Sequence, residues 1–198
     1  MSTIKLIPVA VILGVVVAGL FLWAGGDPHE FSGTVYTDTE PAPEFTLTAD
    51  DGQRHSLDEY RGKVVLMYFG YTFCPDVCPT SLAELAVAVA SLDPSDREQV
   101  QVIMVSVDPA RDTPEVLDQY MAHFDPAFVG FTGTDEEVAS VAADYNVFYQ
   151  VQEGTPATGY LVDHWSGVYL IDGEGNLVES FSYGTPGEMI ASDVAEWL

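Results

Sequence analysis

Two near-continuous apolar runs, "KVVLMYF" at 63–69 and "VQVIMVSV" at 100–107, constrain this chain more than anything else in it. A strand with one wet face alternates apolar and polar residues, whereas a strand that is apolar throughout has to be covered on both faces. Such strands lie in the middle of a sheet with helices on either side. Between the two runs Pro79 stands at a first helical position, and Leu82, Leu85, Ala86 and Val89 follow on one helical face. A strand, a helix and a second buried strand cross over right-handed and leave the strands parallel.

The rest of the chain fills out the same architecture. "FTLTADDGQRHSL" holds two short alternating runs around "DDGQ", which predicts a hairpin. Thr113 caps a helix that opens at Pro114, and Thr134 with Glu137 forms a capping box for the next one. "VYLID" and "NLVESFSY" flank "GEG" as a second hairpin, and Thr185, Pro186 and Glu188 open a last helix carrying Met189, Ile190, Val194 and Trp197. The expected order is hairpin, strand, helix, strand, helix, helix, strand, strand, helix. It makes an α/β fold with a mixed central sheet flanked by helices, in a thioredoxin-like order of elements.

Before this domain comes "LIPVAVILGVVVAGLFLWA" at 6–24, 19 residues without a charge. At about 1.5 Å per residue it reaches roughly 28 Å, the hydrocarbon thickness of a bilayer. The expectation is a retained transmembrane anchor at 1–24; "LWAGGDP" is a poor cleavage site for a signal peptide. Lys5 precedes the span while Asp27 and Glu30 follow it, which leaves the N-terminus in the cytoplasm and the domain on the extracytoplasmic side. Residues 25–42, rich in Gly, Pro, Thr and acids, are expected as a tether, and 43–198 as one domain. Thiols on that side of a membrane can be oxidised.

Charge narrows the partners. Acidic residues number 31 against 6 basic ones, a net −25, and they are spread along the whole soluble part. That argues against nucleic acid. With Lys5 and Lys63 the only lysines, the composition points to a halophilic protein, whose self-repulsion salt would screen, and not to the Lys–Glu networks of a thermophile. Steering toward a basic partner surface is the other use for such a charge.

Both cysteines, Cys74 and Cys78, lie in "GYTFCPDVCPTSL", just past the carboxyl end of the first buried strand, where open α/β sheets bind ligands. Cys78, beside the helix start, is expected to feel the positive end of the helix dipole and to favour the thiolate. A disulfide across so short a loop adds little stability, and a domain of this size does not need a staple. The pair therefore reads as redox-active or metal-binding. Redox pairs of this fold usually have two intervening residues; three intervene here, which leans toward metal. Of the histidines, His29 lies in the tether, His55 in an early turn and His123 near a helix end, all expected as solvated or capping residues. His164, in "GYLVDHWSGVYLID", stands just before a buried strand; alone it is as readily a satisfied core histidine as a ligand. Two thiolates and one imidazole form an S₂N set that suits copper, Cu(I) above all, better than a closed four-ligand zinc site. Asp163 is a candidate fourth ligand, or an acceptor for the other imidazole nitrogen.

Together, "GYTFCPDVCPTSL", "SVDPARDTPEVL", "GFTGT" and "VDHWSGVYLID" resemble the Sco/SenC family in order and approximate spacing. These are membrane-anchored, thioredoxin-fold, copper-binding proteins involved in assembling cytochrome c oxidase. The resemblance implies Cys74, Cys78 and His164 as ligands of a copper ion, as Cu(I), Cu(II) or both, and a dithiol that can also form a disulfide. It implies as partner the oxidase subunit bearing the dinuclear copper centre, of the subunit II type, and delivery of copper to that centre. No substrate is turned over in the ordinary sense, so an enzyme is not expected. The alternative is an extracytoplasmic thiol–disulfide oxidoreductase that acts through Cys74 and Cys78 on that centre's cysteines and needs no His164. Thioredoxins place a cis-proline before the strand that faces their cysteines; here Ser166 or a neighbour takes that place, as in the Sco pattern. "SLDEYRGKVVLMYF" also resembles peroxiredoxins, but Thr72 does not fit the spacing of their peroxidatic site.

Overall fold

A computed structural model describes residues 29–154 and 159–198. The expected anchor at 1–24 and residues 25–28 of the expected tether lie outside these residues. Among the described residues no helix is long and apolar enough to cross a membrane.

The two apolar runs form the centre of the molecule. β4 (Val64–Gly70) and β5 (Val100–Ser106) pair in parallel, and all seven residues of each are buried. Both faces are therefore covered, as the missing alternation demands. Around them runs an eight-stranded sheet in the order β1 (Thr34–Pro41), β10 (Asn176–Phe181), β9 (Val168–Ile171), β4, β5, β6 (Val129–Thr132), β2 (Thr46–Ala49), β3 (Arg54–Ser56). β6 (Val129–Thr132) extends the parallel part beside β5. β2 (Thr46–Ala49) and β3 (Arg54–Ser56) are the expected first hairpin, and β9 (Val168–Ile171) and β10 (Asn176–Phe181) the second, all antiparallel.

Among the described residues five α-helices flank the sheet: α1 (Val77–Ser91), α2 (Pro94–Arg97), α3 (Pro114–Met121), α4 (Asp135–Asp144) and α5 (Gly187–Val194). The Thr113 cap accepts from the Val116 N–H, and the Thr134–Glu137 capping box closes in both directions, as read from sequence. α5 begins differently from expectation. The Thr185 hydroxyl donates to the Ser182 carbonyl and caps nothing; instead Glu84 on α1 accepts the Gly187 N–H at 2.7 Å. Trp197 falls beyond the helix.

Three other expectations are corrected. α1 starts at Val77, two residues before Pro79, because a proline in the first turn removes only an N–H that has no helical partner. Cys78 thus lies inside the helix. The expected tether at 25–42 contains β1 (Thr34–Pro41), paired antiparallel with β10 from Thr34 opposite Ser180 to Pro41 opposite Asn176. Its mostly exposed residues show no buried face, so its order comes from pairing with a neighbouring edge and not from its own apolar pattern. One compact unit accordingly runs Phe31–Leu198. Finally, β7 (Tyr149–Gln152) and β8 (Leu161–His164) form a separate two-stranded ribbon that polar "YQVQ" did not announce.

Candidate metal centre

Cys74 sits in the loop after β4, Cys78 in the first turn of α1, and His164 ends β8. The Cys78 N–H points back at Cys74 Sγ at 3.3 Å, and Cys78 Sγ is 3.3 Å from His164 Nε2. The two sulfurs and an imidazole nitrogen all lie within 4.8 Å of one another, and both cysteines are free thiols. Among the described residues no other group of three such side chains gathers in this way. His55 instead bridges Glu59 at 2.7 Å and Asp51 at 3.1 Å on the surface, and His123 is exposed against Phe124.

The imidazole is oriented by its other nitrogen. Nδ1 lies 2.9 Å from the Trp165 carbonyl, an acceptor only, so Nδ1 carries the proton and the Nε2 lone pair faces the sulfurs. The role expected of Asp163 is thereby filled by a backbone carbonyl, since strand alternation turns Asp163 outward to solvent while His164 turns in. Tyr68 and Tyr71 set their ring edges against the imidazole, with centroids at 6.0 and 5.8 Å. Behind it Trp165 stacks on Tyr169 at 4.5 Å and donates its backbone N–H to the Phe148 carbonyl.

The two thiols are not equivalent. Cys74 is lowered to about 3, first by the hydrogen bond from the Cys78 thiol and then by the backbone N–H groups of Asp76 and Cys78, against its own partial burial. Cys78 is pushed up, first by complete burial and then by the neighbouring Cys74 charge. The expectation that Cys78 would be the thiolate is thus reversed. A helix terminus favours charge by a kcal/mol or so, whereas full desolvation costs several, and it is Cys74, outside the helix, that collects the N–H groups.

A scaffold holds the loop that carries Cys74. Asp112, wholly buried, accepts from the Thr72 N–H at 3.1 Å, the Thr72 hydroxyl at 2.6 Å and the Ser106 hydroxyl at 2.6 Å. The Arg111 guanidinium pairs with Asp108, lies 3.7 Å over the Tyr160 ring and 4.7 Å over Phe73, and donates to the Tyr160 carbonyl at 3.0 Å. The Tyr71 hydroxyl accepts the Val162 N–H at 3.2 Å. Arg111 and Tyr71 thus bind the cysteine loop to the strand that carries His164. Asp108, Arg111 and Asp112 stand in "SVDPARDTP", where paired acids and an arginine directly after a buried strand are the local signal for such a scaffold.

A cleft of about 390 Å³ opens over the group, lined by Cys74, Pro75, His164 and Ser166 among others. The donor set is one preformed thiolate, one buried thiol that must shed its proton to bind, and one imidazole lone pair aimed at both. It fits a soft monovalent or borderline divalent cation, and copper above the harder ions. The same two sulfurs can also exchange electrons as a dithiol.

The SCO1/SenC family model matches residues 35–198. Over 137 residues the chain is 40% identical to Protein SCO2, mitochondrial, of Saccharomyces cerevisiae, covering 69% of this chain but only 46% of that protein. The fold is similar to apo Sco1 of Thermus thermophilus at a TM-score of 0.78 and 40% identity, over 87% of this chain and 100% of that one. It is similar to Arabidopsis thaliana ScoI with copper bound at a TM-score of 0.75 and 35% identity, over 79% and 97%. It is also similar to BsSco, described with a disulfide switch and as a member of the Sco family of cytochrome c oxidase assembly proteins, at a TM-score of 0.62 and 26% identity, over 82% and 96%.

Proposed function

Because this chain belongs to the SCO1/SenC family, we propose that it carries copper on Cys74, Cys78 and His164 for assembly of the dinuclear copper centre of cytochrome c oxidase. The supporting observation is the convergence of two sulfurs and one oriented imidazole nitrogen within 4.8 Å, from a loop, a helix and a ribbon far apart in sequence. Cargo enters by the cleft over Cys74 and His164. Cys74 offers its thiolate first, Nε2 its lone pair, and Cys78 joins as its proton leaves to solvent. The partner is the copper-centre subunit of the oxidase. Residues 6–24 anchor the chain in the membrane with the domain on the extracytoplasmic side, and the tether shrinks to residues 25–30, because Phe31–Leu198 form the compact unit.

The second reading, a thiol–disulfide oxidoreductase, is favoured by the free dithiol with its one acidic thiol. His164→Ala in the full chain, purified anaerobically in detergent, separates the two. Under the carrier reading bound copper, measured by elemental analysis, falls from one equivalent to near none, and dithiol reactivity persists. Undiminished copper in that variant would sink the carrier reading.

A further inference from the structure

Tyr68 is wholly buried in the middle of β4, and its hydroxyl makes no hydrogen bond. An orphaned phenol in a core is destabilising and needs an explanation. The hydroxyl lies beside the Cys78 sulfur and the Ser81 hydroxyl, one turn apart on α1, without the distance and angle of a hydrogen bond to either. Gly70 makes this approach possible: a Cβ there would stand 2.5 Å from Tyr68 Cε1 and 3.1 Å from Cys78 Sγ, so the hydroxyl end of the ring and the sulfur share the space a side chain would fill. A thiol sulfur is a weak acceptor. As a thiolate it is a strong one.

We propose that Tyr68 is a positioning residue for the metal, its hydroxyl donating to Cys78 Sγ once that sulfur has given its proton to solvent and bound the ion. This deepens the copper-carrier reading and rests on it. The hydroxyl is without a partner in the empty protein and gains one in the loaded protein, so part of the cost of the orphan is recovered on binding.

The test uses the full chain in detergent: unsubstituted, Tyr68→Phe and Cys78→Ser. Tyr68→Phe should lower Cu(I) affinity about tenfold in competition with a chromogenic chelator. It should also move the thiolate-to-Cu(II) absorption band to lower energy, since a thiolate without its donor is easier to oxidise. The urea midpoint of the metal-free variant should stay level or rise. An unchanged affinity and band would show the hydroxyl to be packing alone, and a fall in affinity matched by a fall in metal-free stability would make Tyr68 merely structural; either overturns the proposal. A measurement without substitution stands beside these: on loading with diamagnetic Cu(I), the Tyr68 hydroxyl proton should move downfield by NMR, and an unmoved proton overturns it. Failure of the unsubstituted chain to hold copper, or retention by Cys78→Ser, sinks the carrier reading itself and is distinguishable from a null effect of Tyr68→Phe alone.

Discussion

Cys74 and Cys78 stand four residues apart yet hold their protons oppositely, because one collects hydrogen bonds in a loop while the other is stripped of water inside a helix. Alkylation of the metal-free, unsubstituted chain at about pH 6 should therefore modify Cys74 well before Cys78, read by mass mapping. Equal rates would contradict the assignment. A second acid–base asymmetry lies away from the site. Glu179 on β10 is buried against Asp193 on α5 and accepts from the Gly33 N–H at 3.1 Å and Trp197 Nε1 at 2.9 Å, while the Ser32 N–H and hydroxyl reach Asp193. Burial first, and then the Asp193 charge, raise Glu179 from 4.5 to about 7. The folded state thus binds this proton more tightly than the unfolded chain does. Its contribution is full below the unfolded value of about 4.5, declines as pH rises to about 7, and is flat above, a loss on the order of 3 kcal/mol. Glu179→Gln should remove that slope from the pH profile of the urea midpoint, and an unaltered profile would reject the assignment.

Helices and strands meet at the site through close approaches that single atoms control. α5 packs on α1 at Gly187, where a Cβ would stand 2.3 Å from the Glu84 carbonyl oxygen and 2.8 Å from Val87 Cβ. Gly187→Ala has to push apart the helix that carries Cys78 and its neighbour, which should cost about 1–3 kcal/mol in urea unfolding. A neutral result would show that the two helices slide freely. The ribbon of β7 and β8 has no strand partner in the main sheet and is held there in part by the Tyr71 hydroxyl. In Tyr71→Phe the Val162 N–H loses its acceptor, and its amide should exchange with solvent at least tenfold faster, at a cost of about 1–3 kcal/mol. Unchanged exchange at Val162 would mean that other contacts place His164.

Taken whole, the molecule carries a net −25 on 198 residues, and among the described residues its ion pairs are few and chiefly on the surface. Self-repulsion then opposes the folded state, and salt screens it. The melting temperature should climb by several degrees between about 0.1 and 2 M chloride; a flat or falling curve would refute adaptation to high salt. The central architecture was readable from the chain because period and propensity are local: "KVVLMYF" and "VQVIMVSV" can only be strands covered on both faces, and Thr113 and Thr134 can be recognised as caps within three residues. β1 and the β7–β8 ribbon were not readable, since their order comes from pairing with partners more than a hundred residues away or from anchors such as Tyr71, which no local pattern encodes. Residue types, together with four motifs in family order, nominated Cys74, Cys78 and His164. Only the tertiary structure decided which sulfur holds the charge, which carbonyl orients the imidazole and which hydroxyl waits over Cys78, because desolvation and hydrogen-bond direction depend on atoms that folding brings together from distant parts of the chain.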